Sequence, residues 1–266
     1  MVCVTRIVVI GGGPAGYEAA LVAAQVGAEV TVVEAEGLGG ACVLYDCVPS
    51  KTFIASSDAM TAFATADRLG IDAGKPGEIR VDAPAVHGRV RSLALAQSVD
   101  VTRQMTRAGV QVVSGSASLV DAGPGRRHRV EVGASTLDAD VVLVATGASP
   151  RILPGAEPDG ERILTWRQVY DLPSLPEHLV VVGSGVTGAE FASAYLALGV
   201  EVTLVSSRDR VLPGEDSDAA TLIENVFTRR GMTILPRSRA AAVRRHGSGV
   251  EVELSDGRTV EGSHAL

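Results

Sequence analysis

The sequence predicts an α/β protein made of two Rossmann-like dinucleotide-binding domains, with the chain ending inside the second. Three observations carry that expectation. A strand, glycine turn, helix and second strand are legible in "TRIVVIGGGPAGYEAALVAAQVGAEVTVVEAE". The same plan returns in "HLVVVGSGVTGAEFASAYLALGVEVTLVSSRDR". The stretches that follow are also alike: "AGVQVVSGSASLV" parallels "RGMTILPRSRAAAV", and Thr136 and Leu143 correspond to Thr259 and Leu266. The repeat is a whole domain long, not a short stacked motif, so two copies imply two nucleotide sites.

Size and charge bound the function. A chain of 266 residues accommodates two domains, expected over 1–150 and 151–266. A net charge of -7 disfavours nucleic acid, which needs clustered Lys and Arg. Apolar runs such as Val141 to Ala145 fall far short of the roughly 20 residues of a membrane helix. The start, "MVCVTRIVVIGGG", has no charged leader or cleavage site, so a soluble, cytoplasmic protein is expected.

In the first unit Ile7 to Ile10 form a continuous apolar run, as a buried parallel strand requires. Gly11, Gly13 and Gly16 fit the spacing in which one glycine makes the turn, one admits a pyrophosphate and one lets helix and strand pack closely. The helix over 15–26 then points its N-terminus at the phosphates. Val30 to Val33 form the next strand, ending in Glu34, where an acid accepts hydrogen bonds from a ribose.

In the second unit Gly183, Gly185 and Gly188 hold the same pattern, but the strand ends in Ser206. The missing acid removes the repulsion against a 2'-phosphate, and Arg208 follows closely. NADPH, or tolerance of both nicotinamide nucleotides, is favoured. Ser206 binding the ribose diol, with Arg208 a solvated surface charge, is the other reading. Between the units, 147–163 and 171–179 are loops rich in Gly and Pro. The stretch 71–86 is also loop-rich. Residues 87–107 have helical spacing, with His87 expected on the surface.

Of the three cysteines, Cys3 reads as a small apolar residue of the first strand. Cys42 and Cys47 lie in "GGACVLYDCVPSK", soon after Glu34. A Cys-x4-Cys with no second pair is a poor zinc site, so no metal is expected. In a reducing compartment such a pair is more often redox-active than structural. Two nucleotide sites suggest electron transfer between nucleotides, and flavin is the common acceptor. A helix follows, with Pro49 near its start and Ser50 as its cap. Cys47 is then near a helix N-terminus, where the dipole lowers a thiol pKa, and Lys51 adds positive charge. The pair reads as a two-electron relay beside a flavin, able to exchange with an outside disulfide.

These residues resemble the pyridine nucleotide-disulfide oxidoreductases, the group that includes dihydrolipoamide dehydrogenase. "GGACVLYDCVPSK" is similar to the family's redox-active segment, "VVLVATGASP" to its second flavin strand and "VVVGSGVTGAEFA" to its nicotinamide fingerprint. The resemblance implies FAD on Gly11, Gly13, Pro14, Ala15, Gly16, Glu34, Gly39, Gly40, Ala41, Cys42, Lys51, Ala117, Thr146, Gly147 and Ala148. It implies NAD(P)H on Gly183, Gly185, Val186, Thr187, Gly188, Glu190, Ser206, Ser207 and Arg208. Cys42, Cys47, Lys51 and Glu190 become the catalytic set: Cys47 faces the flavin, Cys42 handles substrate, and Lys51 pairs with Glu190.

Departures matter too. Ala41 stands where the family usually has Thr, Leu44 where it has Asn, and Asp46 where it has Gly. Asp46 puts a negative charge beside Cys47, which opposes thiolate formation. With "ILTWRQVYDL" and "GSGVTGAEF", the sequence looks most like an actinobacterial branch of NAD(P)H quinone reductases. Quinone and disulfide or dithiol acceptors therefore both stand. The family's third flavin segment and its C-terminal dimerisation domain, with a His-Glu acid-base pair, are not in this sequence. The chain reads as a fragment of a homodimeric enzyme and is expected to lack turnover alone. His178, His246 and His264 carry no assigned role. A flavin monooxygenase, which needs no cysteine pair, and a non-catalytic redox sensor are the competing classes.

Overall fold

The computed structural model describes residues 4–74, 79–121 and 127–266. Cys3 lies outside the described residues. The chain divides into two compact units, Met1–Pro49 with Arg91–Ser149, and Ser50–Val90 with Pro150–Leu266.

The first unit is a parallel sheet with a small antiparallel sheet. Strand β1 (Arg6–Ile10), helix α1 (Pro14–Gln25) and strand β2 (Glu29–Glu34) reproduce the first predicted repeat. Strands β3 (Gln111–Ser114) and β7 (Val141–Val144) complete the order β3-β2-β1-β7. Ile7 lies between Val30 and Val141, and every pairing is parallel. Val9, Val30 and Val32 are buried beneath α1, with Ala20 against them. Small side chains let the helix lie close to the sheet. Strands β4 (Ala117–Val120), β5 (His128–Val132) and β6 (Ser135–Ala139) form the antiparallel sheet, in that order. Short helix α2 (Gly40–Leu44) follows β2. Helix α3 spans Cys47–Ala64 and helix α4 spans Ala83–Arg107.

The second unit repeats this architecture. Strand β8 (His178–Val182), helix α5 (Val186–Ala197) and strand β9 (Glu201–Val205) mirror β1, α1 and β2. Strands β10 (Thr233–Leu235) and β14 (His264–Ala265) give the order β10-β9-β8-β14. Helix α6 (Ser217–Arg229) lies between β9 and β10 in the chain, and strands β11 (Ala240–His246), β12 (Gly249–Leu254) and β13 (Thr259–Gly262), which precede β14, form an antiparallel sheet. The predicted correspondences hold at the level of register. Thr136 pairs with Glu131 and Thr259 with Glu253. Leu143 pairs with Val9, and Leu266 exchanges bonds with Val180 and Val182, which flank the equivalent Val181.

Two sequence expectations are corrected. Ser50 does not cap α3: the helix begins three residues earlier, at Cys47, and Ser50 is buried in its first turn. Pro49 also falls in that turn, where its missing N–H costs nothing. His87 is not a surface residue but is buried, at 1% exposure. Its Nδ1 donates to the Leu172 carbonyl at 3.0 Å. It joins an aromatic cluster of Phe53, Tyr170, Phe191 and Tyr195, with Phe53 and Tyr195 centroids 5.0 Å apart. That cluster is why Ser50–Val90 packs with the second unit: Phe53 and Val90 belong to its core.

A polar network secures the start of β14. Asp159 accepts from the backbone N–H groups of Glu161, Arg162 and Ile163, and from Arg245 Nε at 2.6 Å. Arg162 reaches His264 Nε2 at 3.2 Å. Burial first, then the charges of Arg162 and Arg245, hold the His264 pKa down from 6.5 to about 4. The folded protein therefore binds fewer protons than the unfolded chain between these values. Stability rises with pH through that window and is lost as pH falls from 6.5 toward 4. His264→Asn should remove on the order of 1 kcal/mol of the stability difference between pH 7 and pH 5, after allowance for solvent screening. Urea unfolding of the full-length protein and the variant at pH 7 and pH 5 checks it; parallel pH dependences would refute the assignment.

Candidate nucleotide and redox sites

The first glycine turn is shaped by backbone, not by side chains. Gly11 has φ 104°, and its N–H donates to the Val33 carbonyl at 2.8 Å. A β-carbon on Gly11 would overlap the Ala145 carbonyl oxygen, so β7 and the following Thr146 come right up to the turn. A β-carbon on Gly16 would overlap the Gly11 carbonyl oxygen. At Gly13, the cap of α1, a β-carbon would meet only the Gly40 α-carbon, at 3.8 Å. Gly13 has no internal reason to be glycine. It leaves open the first turn of α1, whose N–H groups lack helical partners. Pro14 occupies the first helical position, where it forfeits no bond.

Glu34 organises the turn. Its Oε2 accepts from Gly12 N–H at 2.6 Å, and Oε1 accepts from Glu36 and Gly37 at 2.8 and 3.3 Å. A carboxylate offers about four acceptor positions, so one remains for a ligand hydroxyl. Gly39 N–H bonds the Gly12 carbonyl at 2.8 Å, which seats "GGAC" against the turn. Gly39 and Gly40 both have positive φ, and a β-carbon on Gly40 would crowd Gly13 at 2.7 Å. Cys42 is half-buried on α2, and Ala41 beside it is also half-buried. The Tyr17 phenol on α1 is pushed up by burial, then by Glu18 and by Cys42, which marks how close α2 lies to α1. Cys47 is exposed at the first position of α3. Ala117 opens β4, paired with Val132, while Thr146, Gly147 and Ala148 are exposed after β7.

The second turn has the same logic. Gly183 has φ 119° and bonds the Val205 carbonyl at 2.9 Å. A β-carbon on Gly188 would overlap the Gly183 carbonyl oxygen, whereas one on Gly185, the cap of α5, would meet nothing within 4 Å. Val186 and Thr187 are exposed in the first turn of α5. A cleft of about 410 Å³ opens here, lined by Leu153, Trp166, Gly185, Val186 and Thr187 among others. Lys51 and Glu190, paired by resemblance alone in the sequence, meet with Nζ 2.6 and 2.9 Å from the two carboxylate oxygens. The pair is largely exposed, so it contributes little stability, about 0–1 kcal/mol.

Ser206 departs from its expected place. It is fully buried, and its hydroxyl bonds Ser184 Oγ at 2.7 Å and accepts from Arg208 N–H at 3.1 Å. The pair Ser184–Ser206 takes the place that Gly12 and Glu34 hold in the first unit. Its hydroxyl is spent inside the protein, not offered to a ribose. Ser207 and Arg208 are exposed just beyond it. Sequence reasoning missed Ser184 and the role of Gly12 N–H; a polar residue at the variable position of the turn was the available signal for Ser184.

Comparison with known proteins shows the family and the fold. The pattern of the pyridine nucleotide-disulphide oxidoreductases matches residues 5–266. An NAD(P)H dehydrogenase (quinone) of Mycobacterium tuberculosis is 58% identical over 99% of this chain and 55% of its own length. A dihydrolipoyl dehydrogenase of Chlorobaculum tepidum is 34% identical over 97% of this chain and 53% of its own. The chain thus spans about half the length of these relatives. The crystal structure of LpdA from M. tuberculosis superposes with a TM-score of 0.93 at 58% identity, covering 99% of this chain and 58% of that one. The flavoprotein disulfide reductase RclA of Escherichia coli shares the fold at 22% identity and a TM-score of 0.81, over 98% of this chain and 55% of its own. Among the described residues no helix is long and apolar enough to cross a membrane. The chain belongs to the pyridine nucleotide-disulphide oxidoreductase family, whose members use FAD and NAD(P)H.

Proposed function

We propose that the full-length protein is an FAD-dependent oxidoreductase that passes electrons between NAD(P)H and a quinone, or a disulfide or dithiol, through the Cys42–Cys47 pair. One observation carries the reading. Each of two glycine turns keeps an unobstructed glycine at its helix start, Gly13 and Gly185, and the first turn has the cysteine-bearing α2 packed against it. Both glycines fit a group whose phosphates approach the backbone. The residues around the first turn suit FAD: α1 N–H groups for the pyrophosphate, and the remaining acceptor of Glu34 for the ribose. FAD, when bound, supplies a carrier that takes two electrons and releases them singly or in pairs. The second turn suits NAD(P)H, with α5 for the pyrophosphate and the Ser207–Arg208 end of β9 for the adenosine ribose.

The chain's own residues set the rest. The Cys42–Cys47 couple takes up two electrons and two protons as its disulfide opens to two thiols. Cys47 stands exposed at the first position of α3, directly after Asp46. Lys51 and Glu190 fix each other's position on α3 and α5. The 58% identity to a protein named as a quinone-reducing dehydrogenase favours the quinone as acceptor. The second reading, a dihydrolipoamide dehydrogenase, draws on the cysteine pair itself. The working form is a homodimer in the cytoplasm.

The test uses the full-length protein loaded with FAD. NADPH and NADH oxidation is followed with a benzoquinone, and NAD+ reduction with dihydrolipoamide. Quinone turnover faster than a measurable dithiol turnover is the expected result. Strong dithiol turnover would favour the second reading. If neither nucleotide bleaches the flavin absorbance, the function proposed here is wrong.

A further inference from the structure

We propose that Arg237 is a specificity-determining cation of the second nucleotide site, acting with Arg208 to seat a phosphate on the adenosine ribose and so to favour NADPH over NADH. This rests on the reading that the second glycine turn holds a nicotinamide nucleotide.

Strands β9 and β10 run parallel and end side by side. Their last register pair is Val205 with Leu235. Beyond it, Ser206 N–H donates to the Leu235 carbonyl at 2.9 Å, Ser238 N–H to the Ser206 carbonyl at 2.7 Å, and Arg237 N–H to the Arg208 carbonyl at 2.7 Å. These bonds lash the two strand ends together and bring Arg208 and Arg237 to one corner, at the carboxyl end of the sheet, where ligands bind in such folds.

Arg237 adopts φ 51°, and Leu212 is the only other non-glycine residue described with positive φ. A side chain in that region costs on the order of 1 kcal/mol, and persists where its surroundings hold it there. Glycine would remove the cost, so the arginine side chain has to be accounted for. Arg208 and Arg237 are exposed, and among the described residues neither guanidinium has an ion-pair or hydrogen-bond partner. Elsewhere in this unit Arg244, Arg245 and Arg258 each pair with a carboxylate. Arg210 adds to the corner a buried Nε with no partner among the described residues. In a chain of net charge -7, arginines at a strand end with no carboxylate partner among the described residues suit an anion, Asp209 between Arg208 and Arg210 being the one acid in that run. Ser206, meanwhile, has no hydroxyl to spare for a ribose diol. A phosphate dianion matches two guanidinium forks; a neutral diol does not.

Isothermal titration of the full-length, FAD-loaded protein with 2',5'-ADP and 5'-AMP tests this without turnover. Arg237→Gln should lower the ratio of the two affinities about tenfold, the loss of one charge-assisted contact. The NADPH to NADH ratio of kcat/KM should fall by a similar factor. Arg237→Gly should lower both ratios as far while melting no lower than the unaltered protein, which separates the charge from the backbone. Arg237→Lys should lie between. Unchanged ratios, or equal losses for both ligands, overturn the assignment. Binding of neither adenosine ligand by the unaltered protein overturns the nucleotide reading beneath it.

Discussion

Gly16→Ala should destabilise the protein by about 3 kcal/mol or more, whereas Gly13→Ala should cost about 1 kcal/mol or less and still lose the cofactor. The two glycines belong to one motif but answer to different constraints. At Gly16 the obstacle is backbone: an added methyl overlaps the Gly11 carbonyl oxygen and comes within 3.3 Å of Val9. The carbonyl cannot yield by a rotamer change, so α1 must leave the sheet. At Gly13 a methyl meets only the Gly40 α-carbon at ordinary contact distance, and the backbone, at φ -70°, suits alanine. Its obstacle is the ligand. The second unit offers an independent copy, with Gly188 obstructed by the Gly183 carbonyl and Gly185 facing open space. Gly185→Ala should leave melting nearly unchanged and weaken nicotinamide-nucleotide binding tenfold or more. Thermal melting, flavin retention on gel filtration and titration with NADP+ give the three readouts. Tight FAD binding by Gly13→Ala would show that the pyrophosphate does not lie over that turn.

What was legible in the sequence is what short-range rules control. The turn glycines, the apolar runs of β1 and β8 and the terminal positions Glu34 and Ser206 recur at one fixed spacing, so the second unit could be read from the first. Thr136 and Thr259, matched in the sequence, take equivalent places in the structure, each opposite a glutamate, because strand register propagates from aligned turns. The misreadings are all tertiary. His87 sits in a polar-looking helix, and only the meeting with Phe53 and Tyr170 explains its burial. Ser50 had the right chemistry for a cap, but α3 starts at Cys47 immediately after the turn that follows α2. Ser206 ended the right strand, yet its fate depended on Ser184, a residue in a different element. The αL conformation of Arg237 has no local signal, since Pro-Arg-Ser announces neither a turn glycine nor an asparagine.

Cys42→Ser should reduce dithiol turnover at least about a thousandfold, because the variant keeps a sulfur at Cys47 but has no disulfide to open. Cys47→Ser should do the same, while the half-buried and exposed settings of the two thiols predict different reactivity toward an alkylating probe. Cys47, exposed at the start of α3, should be labelled first. The quinone reaction separates the two acceptor classes. A quinone accepts electrons without forming a bond to sulfur, so Cys42→Ser tests whether its electrons pass through the pair. If quinone turnover by Cys42→Ser stays within a fewfold of the unaltered protein while dithiol turnover vanishes, the thiols are bystanders to quinone reduction. Leu44 and Asp46, which replace the residues usual beside such a pair, are then the departures that matter. If both activities fall together, electrons reach the quinone through the thiols.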